Sequence, residues 1–190
     1  NLFEQVDYSK VEEGSYKLNT SNFNNKPKSN ITYLHGIMNG PYTYYDYYGR
    51  KKITGEYLNG EQHGTWIWYH DDGSIDSEAT FESGKIDGEY VSYYQNGQLE
   101  NNYYYDFGSS EKRWISYYKN GNLNTVTEYK DDRPHGRKEF YSELGILQLI
   151  RFYEFGRLIG YSYLNKDSEE LPMIPLQRES GEVKAYYDNG

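Results

Sequence analysis

Glycine recurs in this chain with a period of 24 residues, and that spacing constrains the fold more than any other feature. Of the 19 glycines, 15 fall on three columns of this period. The columns are Gly40, Gly64, Gly88, Gly136 and Gly160; Gly49, Gly73, Gly97, Gly121 and Gly145; and Gly36, Gly60, Gly84, Gly108 and Gly156. Lys112 and Asp132 stand where the first and third columns would place a glycine. Self-similarity at a fixed period marks a repeat architecture, so an array of similar units is predicted.

Aromatic residues keep the same period. One column holds Tyr45, Tyr69, Tyr93, Tyr117 and Tyr141, and another holds Tyr33, Tyr57, Phe81, Tyr105, Tyr129 and Tyr153. Tyrosine occurs 25 times, whereas cysteine is absent. Aromatic side chains supply large apolar areas, and tyrosine keeps a polar tip that tolerates partial exposure. The buried surface is therefore predicted to be mostly aromatic, which argues against a helical bundle or an aliphatic core.

The segments between the glycines have the length and composition of β-strands, and every boundary carries a turn signal. Dipeptides such as Asp72-Gly73 and Asn96-Gly97 adopt positive φ readily, so they mark the tip of a hairpin in each repeat. The predicted tip glycines are Gly49, Gly73, Gly97, Gly121 and Gly145. A second turn, as at Ser83-Gly84, leads into the next repeat. The predicted fold is all-β, an elongated single-layer antiparallel meander of repeated β-hairpins.

Two registers are open for each hairpin. A two-residue loop would place Tyr94 opposite Leu99, whereas a three-residue loop closed by Gly97 would place Tyr93 opposite Leu99. The second register is favoured because alternation along the strands then collects Val91, Tyr93, Leu99 and Tyr105 on one face. The opposite face would carry a set of rings that we call the aromatic strip. Its members are Tyr42, Tyr44, Trp66, Trp68, Tyr90, Tyr94, Trp114 and Tyr118.

The repeat unit resembles the MORN-repeat variant, a hairpin repeat of bacterial proteins. The resemblance rests on GTWIWYHDDG from Gly64 and GEYVSYYQNGQL from Gly88, and it extends over residues 36–160. It implies a single-layer sheet that serves as a scaffold for protein contacts, or for membrane contact in some MORN proteins. Some proteins with this variant are labelled antitoxins of toxin–antitoxin pairs.

The pattern divides the chain into three parts. Residues 1–35 are predicted to form a degenerate repeat or cap, including a polar loop over 19–30. Residues 36–163 hold the regular repeats, and residues 164–190 form an irregular loop and a partial terminal repeat that starts at Gly181. Pro172 and Pro175 cannot donate to a sheet ladder, which favours a loop there. The chain begins at Asn1, which is compatible with a removed signal segment, and the compartment stays open between cytoplasmic and extracytoplasmic.

The sequence offers little catalytic chemistry. His63 and His135 share a column but lie three repeats apart, whereas zinc needs three or four convergent ligands. No nucleophile motif, phosphate-binding loop or dinucleotide fingerprint is present. A flat sheet also gives little of the concavity that an active site or a small-molecule site needs. We therefore expect a protein that is not an enzyme and that uses no metal or cofactor.

The charge balance narrows the choice of partner. With 20 basic and 29 acidic residues the net charge is −9, which disfavours nucleic acid and favours a basic protein partner by electrostatic steering. Docking is expected on the aromatic strip, since exposed tyrosine and tryptophan are typical of binding surfaces. Peripheral membrane association is an alternative, although only residues 50–52 and 137–138 approach a basic cluster. An extracytoplasmic structural or carbohydrate-binding module is another alternative, with sugars stacking on the same rings.

Overall fold

The computed structural model describes residues 4–7, 15–21, 27–110 and 112–176. These residues contain β-strands and turns but no helix, and neighbouring strands of the sheet pair antiparallel. The predicted fold class, an all-β antiparallel meander of repeated hairpins, is confirmed. The chain divides into two compact units, Asn1–Gly97 and Gln98–Gly190, which are described separately below.

The described residues of the first unit form eight strands, and consecutive strands among these eight pair with each other. They are β1 (Glu4–Asp7), β2 (Ser15–Ser21), β3 (Pro27–Leu34), β4 (Ile37–Tyr45), β5 (Lys51–Leu58), β6 (Glu61–Tyr69), β7 (Ile75–Glu82) and β8 (Lys85–Tyr93). The polar loop predicted over 19–30 is wrong at both ends, because β2 continues to Ser21 and β3 starts at Pro27. Proline is tolerated as the first residue of a strand, which explains that start.

The second unit contains the remaining strands. They are β9 (Leu99–Asp106), β10 (Ser109–Ser110), β11 (Lys112–Tyr117), β12 (Leu123–Lys130), β13 (Arg133–Tyr141), β14 (Leu147–Glu154), β15 (Arg157–Ser162) and β16 (Ile174–Pro175). β9 pairs with both β10 and β11, and each later strand pairs with its successor. The partial repeat predicted from Gly181 lies outside the described residues. The predicted boundaries at 35/36 and 163/164 stay predictions.

The turns between repeats are two-residue loops in which both residues have positive φ. Ser83 and Gly84 have φ values of 49° and 75°, the pattern of a type I′ turn. Asp131 and Asp132, at one gap in the glycine columns, keep this conformation with φ values of 51° and 60°. Aspartate tolerates the left-handed region better than most residues, so the turn survives without glycine.

The hairpin tips follow a different rule. The His70 amide donates to the Ser74 carbonyl at 2.9 Å, and the Gly73 amide donates to the His70 carbonyl at 3.1 Å. This closes a three-residue loop and places Tyr69 opposite Ile75. The equivalent pairs Tyr117–Leu123 and Tyr141–Leu147 recur in the second unit. These hairpins therefore adopt the three-residue register that the sequence favours.

A β-bulge next to each tip changes which side chains share a face. The register shifts between Trp68 and Tyr69, so that Trp68 lies opposite Ser77 while Tyr69 lies opposite Ile75, leaving Asp76 as the extra residue. Beyond the bulge the alternation of β7 is displaced by one residue. The expectation that the column containing Phe81 lies opposite the aromatic strip is therefore wrong.

The core of the first unit lies on the strip face. Trp66 and Ala79 are each 2% exposed and Phe81 is 8% exposed, and together they form the buried cluster. Tyr42, Ile53, Tyr57, Trp68, Ile86 and Tyr90 pack against this cluster. The predicted aromatic core is present, but the strip itself supplies part of it.

Candidate functional site

Trp66 is a structural member of the aromatic strip. Its ring packs over the backbone of Gly55 on β5 and lies opposite Ala79 on β7, the small residues on either side. The ring centroids of Tyr57 and Tyr42 lie 5.1 and 5.5 Å from that of Trp66. The Trp66 Nε1 donates to the Glu56 carbonyl at 3.1 Å. Because Trp66 is buried and its polar atom is satisfied, it has no surface to offer a partner.

The other strip residues of the first unit occupy two kinds of position. Tyr42 and Tyr90 pack against the core cluster around Trp66. Burial, followed by the neighbouring phenols of Tyr57 and Tyr44, raises the pKa of Tyr42. Tyr44 and Trp68 are partly exposed and line a surface groove, while Tyr94 is partly exposed beyond the end of β8. The strip therefore combines core packing with accessible rings.

The surface groove lies beside the hairpin tips of the first unit, and we call it the tip groove. It is an open depression of about 730 Å³. Tyr44, Ile53 and Trp68 lie opposite one another on β4, β5 and β6 and form its apolar floor. Tyr69, His70, Asp46, Asp71, Asp76, Lys52 and Gln95 complete its lining. Such a mixture of aromatic floor and charged wall suits recognition of a side chain that is both long and charged.

Ion pairs between successive tips shape the wall of the tip groove. Asp71 Oδ1 accepts from Lys52 Nζ at 2.9 Å, and Asp71 Oδ2 lies 3.2 Å from Arg50 Nη1. Arg50 Nε also donates to Asp46 at 2.7 Å, and His70 Nδ1 lies 3.2 Å from Asp76. Counting these groups with Lys51 and Asp72, which lie on the same tips, the four aspartates exceed the three fixed cations. The charged residues around the tip groove, which we call its rim, therefore carry a small net negative charge.

Acid is expected to weaken the first unit through this rim. The hydrogen bond from Lys52 and the charge of Arg50 lower the pKa of Asp71, and hydrogen bonds from Ser74 lower that of Asp72. As pH falls, the unfolded chain takes up these protons first, so the stability present above the ordinary aspartate pKa of about 4 declines as the pH falls below it. The urea midpoint should fall over this range, and Asp71→Asn should flatten the decline. Glu61→Gln, an exposed change on β6, is the control and should leave the slope unchanged.

In the second unit the strip residues make other contacts. Trp114 stacks between Tyr103 and Tyr129, with ring centroids 4.3 and 4.4 Å apart and interplanar angles of 24° and 32°. The Tyr118 hydroxyl donates to the Tyr141 carbonyl at 2.8 Å, which ties one hairpin tip to the next. Both residues therefore stabilise the sheet of this unit.

Contacts between successive hairpin tips position the residues around the tip groove, and the sequence analysis missed them. His70 Nε2 lies 3.1 Å from the Tyr93 carbonyl, and Tyr118 makes the equivalent contact in the second unit. Both residues directly follow the tyrosine column that ends the first strand of each repeat. The sequence does contain a signal for these contacts, since every residue that directly follows the tyrosine column carries a polar group. These residues are Asp46, His70, Tyr94, Tyr118 and Ser142.

Two searches for other kinds of site gave negative results. Across the described ranges, no three histidine, aspartate or glutamate side chains come close enough to hold a metal ion. Within the same residues, no helix is long and apolar enough to cross a membrane.

Comparisons with known proteins agree with the repeat architecture. The family model described as MORN repeat variant matches residues 62–83, 86–108 and 110–131, three consecutive repeats. The first match covers the hairpin of β6 and β7, and the third covers that of β11 and β12. A search of curated proteins gives no match.

Proposed function

We propose that this chain, whose residues 62–131 carry three consecutive MORN repeat variant units, is a non-catalytic scaffold that binds a protein partner in the tip groove. Repeats of this kind indicate a binding scaffold in general terms. The partner, and the use of the tip groove to hold it, are the new elements of the proposal. One observation carries them: the partly exposed rings of Tyr44 and Trp68 lie in an open groove whose wall is charged.

The aromatic floor supports a protein partner. Tryptophan and tyrosine dominate interface hot spots because they bury a large area at low entropic cost. Trp68 is held from below by Trp66 and Phe81, with ring centroids 6.4 and 6.3 Å away. Its orientation is therefore fixed before a partner arrives, which reduces the ordering cost of binding.

The charge of the rim supports a basic partner. Aspartates outnumber fixed cations at the tips, and the chain as a whole carries a net charge of −9. A lysine or arginine from a partner could lie against the Trp68 ring while its charge faces Asp46 or Asp76. A toxin that acts on nucleic acid or on an anionic membrane would be such a partner, and the chain would then be its antitoxin.

Trp68→Ala is expected to abolish or strongly weaken partner binding. Loss of a hot-spot tryptophan costs 2 kcal/mol or more, so the Kd should rise by about 30-fold or more. The partner is first captured from the native organism on the immobilised wild-type chain and identified by mass spectrometry. Its Kd for the wild type and the variants is then measured by calorimetry. Binding should also weaken as ionic strength rises from about 0.05 to about 0.5 M.

Phe155→Asn is the matched control for this experiment. Phe155 is an exposed aromatic residue in a turn of the second unit, and asparagine accepts its positive φ of 47°. The variant should bind like the wild type. Equal affinity of Trp68→Ala and wild type for the captured partner, with Trp68→Ala folded as judged by circular dichroism, would show that the tip groove is not the docking site.

A further inference from the structure

The repeat pattern breaks on the strip face of the second unit, where two cations replace two expected residues. One column holds an aromatic residue in four successive repeats and a lysine in the fifth. Its members are Tyr42, Trp66, Tyr90, Trp114 and Lys138. The neighbouring column reads Gly55, Ala79, Tyr103 and Thr127, but it continues with Arg151. In the earlier repeats both positions hold uncharged residues. Charged residues at both positions therefore call for a separate explanation.

The two cations lie directly opposite each other. Trp114 pairs with Thr127, Thr127 with Lys138, and Lys138 with Arg151, across β11 to β14. Lys138 Nζ and Arg151 Cζ lie 5.3 and 5.0 Å from the centre of the same Phe140 ring. Like charges directly opposite on neighbouring strands destabilise a sheet. Burial, followed by the charge of Arg151, lowers the pKa of Lys138.

Among the described residues, the two cations lack acidic partners, and two buried donors in this region lack acceptors. Within the part of the chain that the structure describes, neither Lys138 nor Arg151 forms an ion pair. Arg151 Nε and Trp114 Nε1 are buried there without a hydrogen-bond partner. Leaving a buried donor unsatisfied costs about 1 to 3 kcal/mol, and more when it is charged. An anion beside Lys138 would offset the repulsion between the two opposed cations.

A depression of about 340 Å³ gives such an anion a place to bind. Its lining includes Trp114, Lys138, Tyr129, Asn101 and Ser116. Small-molecule sites start at about 300 Å³, so the depression fits a ligand the size of one sugar or one small acid.

We propose that this depression of the second unit binds a small oxyanion, a carboxylate or phosphate group of a small molecule. Lys138, which lines the depression, pairs with its oxygens, and Arg151 directly opposite on β14 adds a second positive charge beside the site. The Trp114 ring forms part of the wall. Ammonium groups form short charge-assisted hydrogen bonds with such oxygens. The amide of Asn101 and the hydroxyl of Ser116 stand where the rest of a polar ligand would lie. This site is independent of the tip groove, which belongs to the first unit.

The test uses the indole N–H signals of the full chain, which has only three tryptophans. Trp66→Phe and Trp68→Phe assign two signals and so identify that of Trp114. The protein is titrated with inorganic phosphate, with glucuronate, and with neutral glucose at constant ionic strength. A saturable shift of the Trp114 signal is expected with phosphate, glucuronate or both, and none with glucose. A shift with phosphate alone would indicate a phosphate-bearing ligand, and a shift with glucuronate alone would indicate a sugar acid.

Variants separate a binding role from a structural one. Lys138→Met should raise the apparent Kd by about tenfold or more, as loss of a charged hydrogen bond predicts. Arg151→Met removes only a nearby charge, so it should raise the Kd by a smaller factor. Arg157→Met, which removes an exposed arginine paired with Glu154, is the matched control and should bind normally. Lys138→Tyr restores the aromatic column, so it should raise the Tm of the ligand-free protein while abolishing the shift.

Three results would overturn the proposal. The first is the absence of a saturable Trp114 shift with either anion. The second is a shift that Lys138→Met and Arg151→Met leave unchanged or that glucose reproduces. The third is a fall in the ligand-free Tm of Lys138→Tyr, since that would assign Lys138 a structural role in the sheet.

Discussion

Trp66→Ala is expected to lower the free energy of unfolding by about 3 to 5 kcal/mol, the range for truncating a buried tryptophan. The ring is 2% exposed, contacts Tyr42, Tyr57 and Phe81, and donates to the Glu56 carbonyl. Its removal leaves a cavity between Gly55 and Ala79 that neither small residue can fill. Urea unfolding followed by far-UV circular dichroism measures the change without relying on tryptophan emission.

Trp68→Ala is the comparison for this measurement. Trp68 is partly exposed and packs on the edge of the same cluster, so its truncation should cost clearly less. A loss below about 1 kcal/mol in Trp66→Ala would contradict the assignment of Trp66 as the centre of the core. Trp66→Ala therefore tests the stability of the core, whereas Trp68→Ala tests binding in the tip groove.

The hairpin tips could be predicted from the sequence because their chemistry is local. A glycine such as Gly73, with a φ of 88°, closes a three-residue loop with its immediate neighbours. That loop alone places Tyr69 opposite Ile75. Because the same residues recur every 24 positions, the other hairpins adopt the same register.

The faces of the sheet could not be predicted in the same way. A single extra residue, Asp76, displaces the alternation of β7 and brings Phe81 to the side of Trp66. Asp76 has no backbone preference that marks a bulge in the sequence. Strict alternation therefore predicts the wrong face for residues beyond the bulge, such as Phe81.

The tip groove was hidden for another reason. Its wall depends on contacts between successive tips, such as Lys52 with Asp71 and His70 with Tyr93, which lie 19 and 23 residues apart. The column pattern compares equivalent positions, whereas these contacts join different columns. Tyr44 and Trp68 were predicted as accessible rings. Their charged neighbours come from adjacent hairpins, so only the folded structure shows them.

Gly55→Ala is expected to destabilise the first unit by about 1 to 3 kcal/mol, the usual cost of overpacking a filled core. Gly55 lies outside the glycine columns, and no turn requires it. A Cβ at this position would lie 2.7 Å from Trp66 Cγ and closer still to two other ring atoms. β5 is held by ladders on both sides, and the Trp66 ring is packed against Tyr42, Tyr57 and Phe81, so neither can move away without losing contacts. Thermal or urea unfolding of the variant gives the size of the effect.

A double-mutant cycle assigns this cost to the Trp66 ring. In a Trp66→Leu background the clash is reduced, so Gly55→Ala should cost less than in the wild type, with a coupling of about 0.5 to 3 kcal/mol. Gly73→Ala is the matched control. Its φ of 88° strains any side chain, but nothing lies within 4 Å of its added Cβ. Its cost should be the same in both backgrounds, whereas an equal cost of Gly55→Ala in both would show that the ring is not what excludes a side chain from position 55.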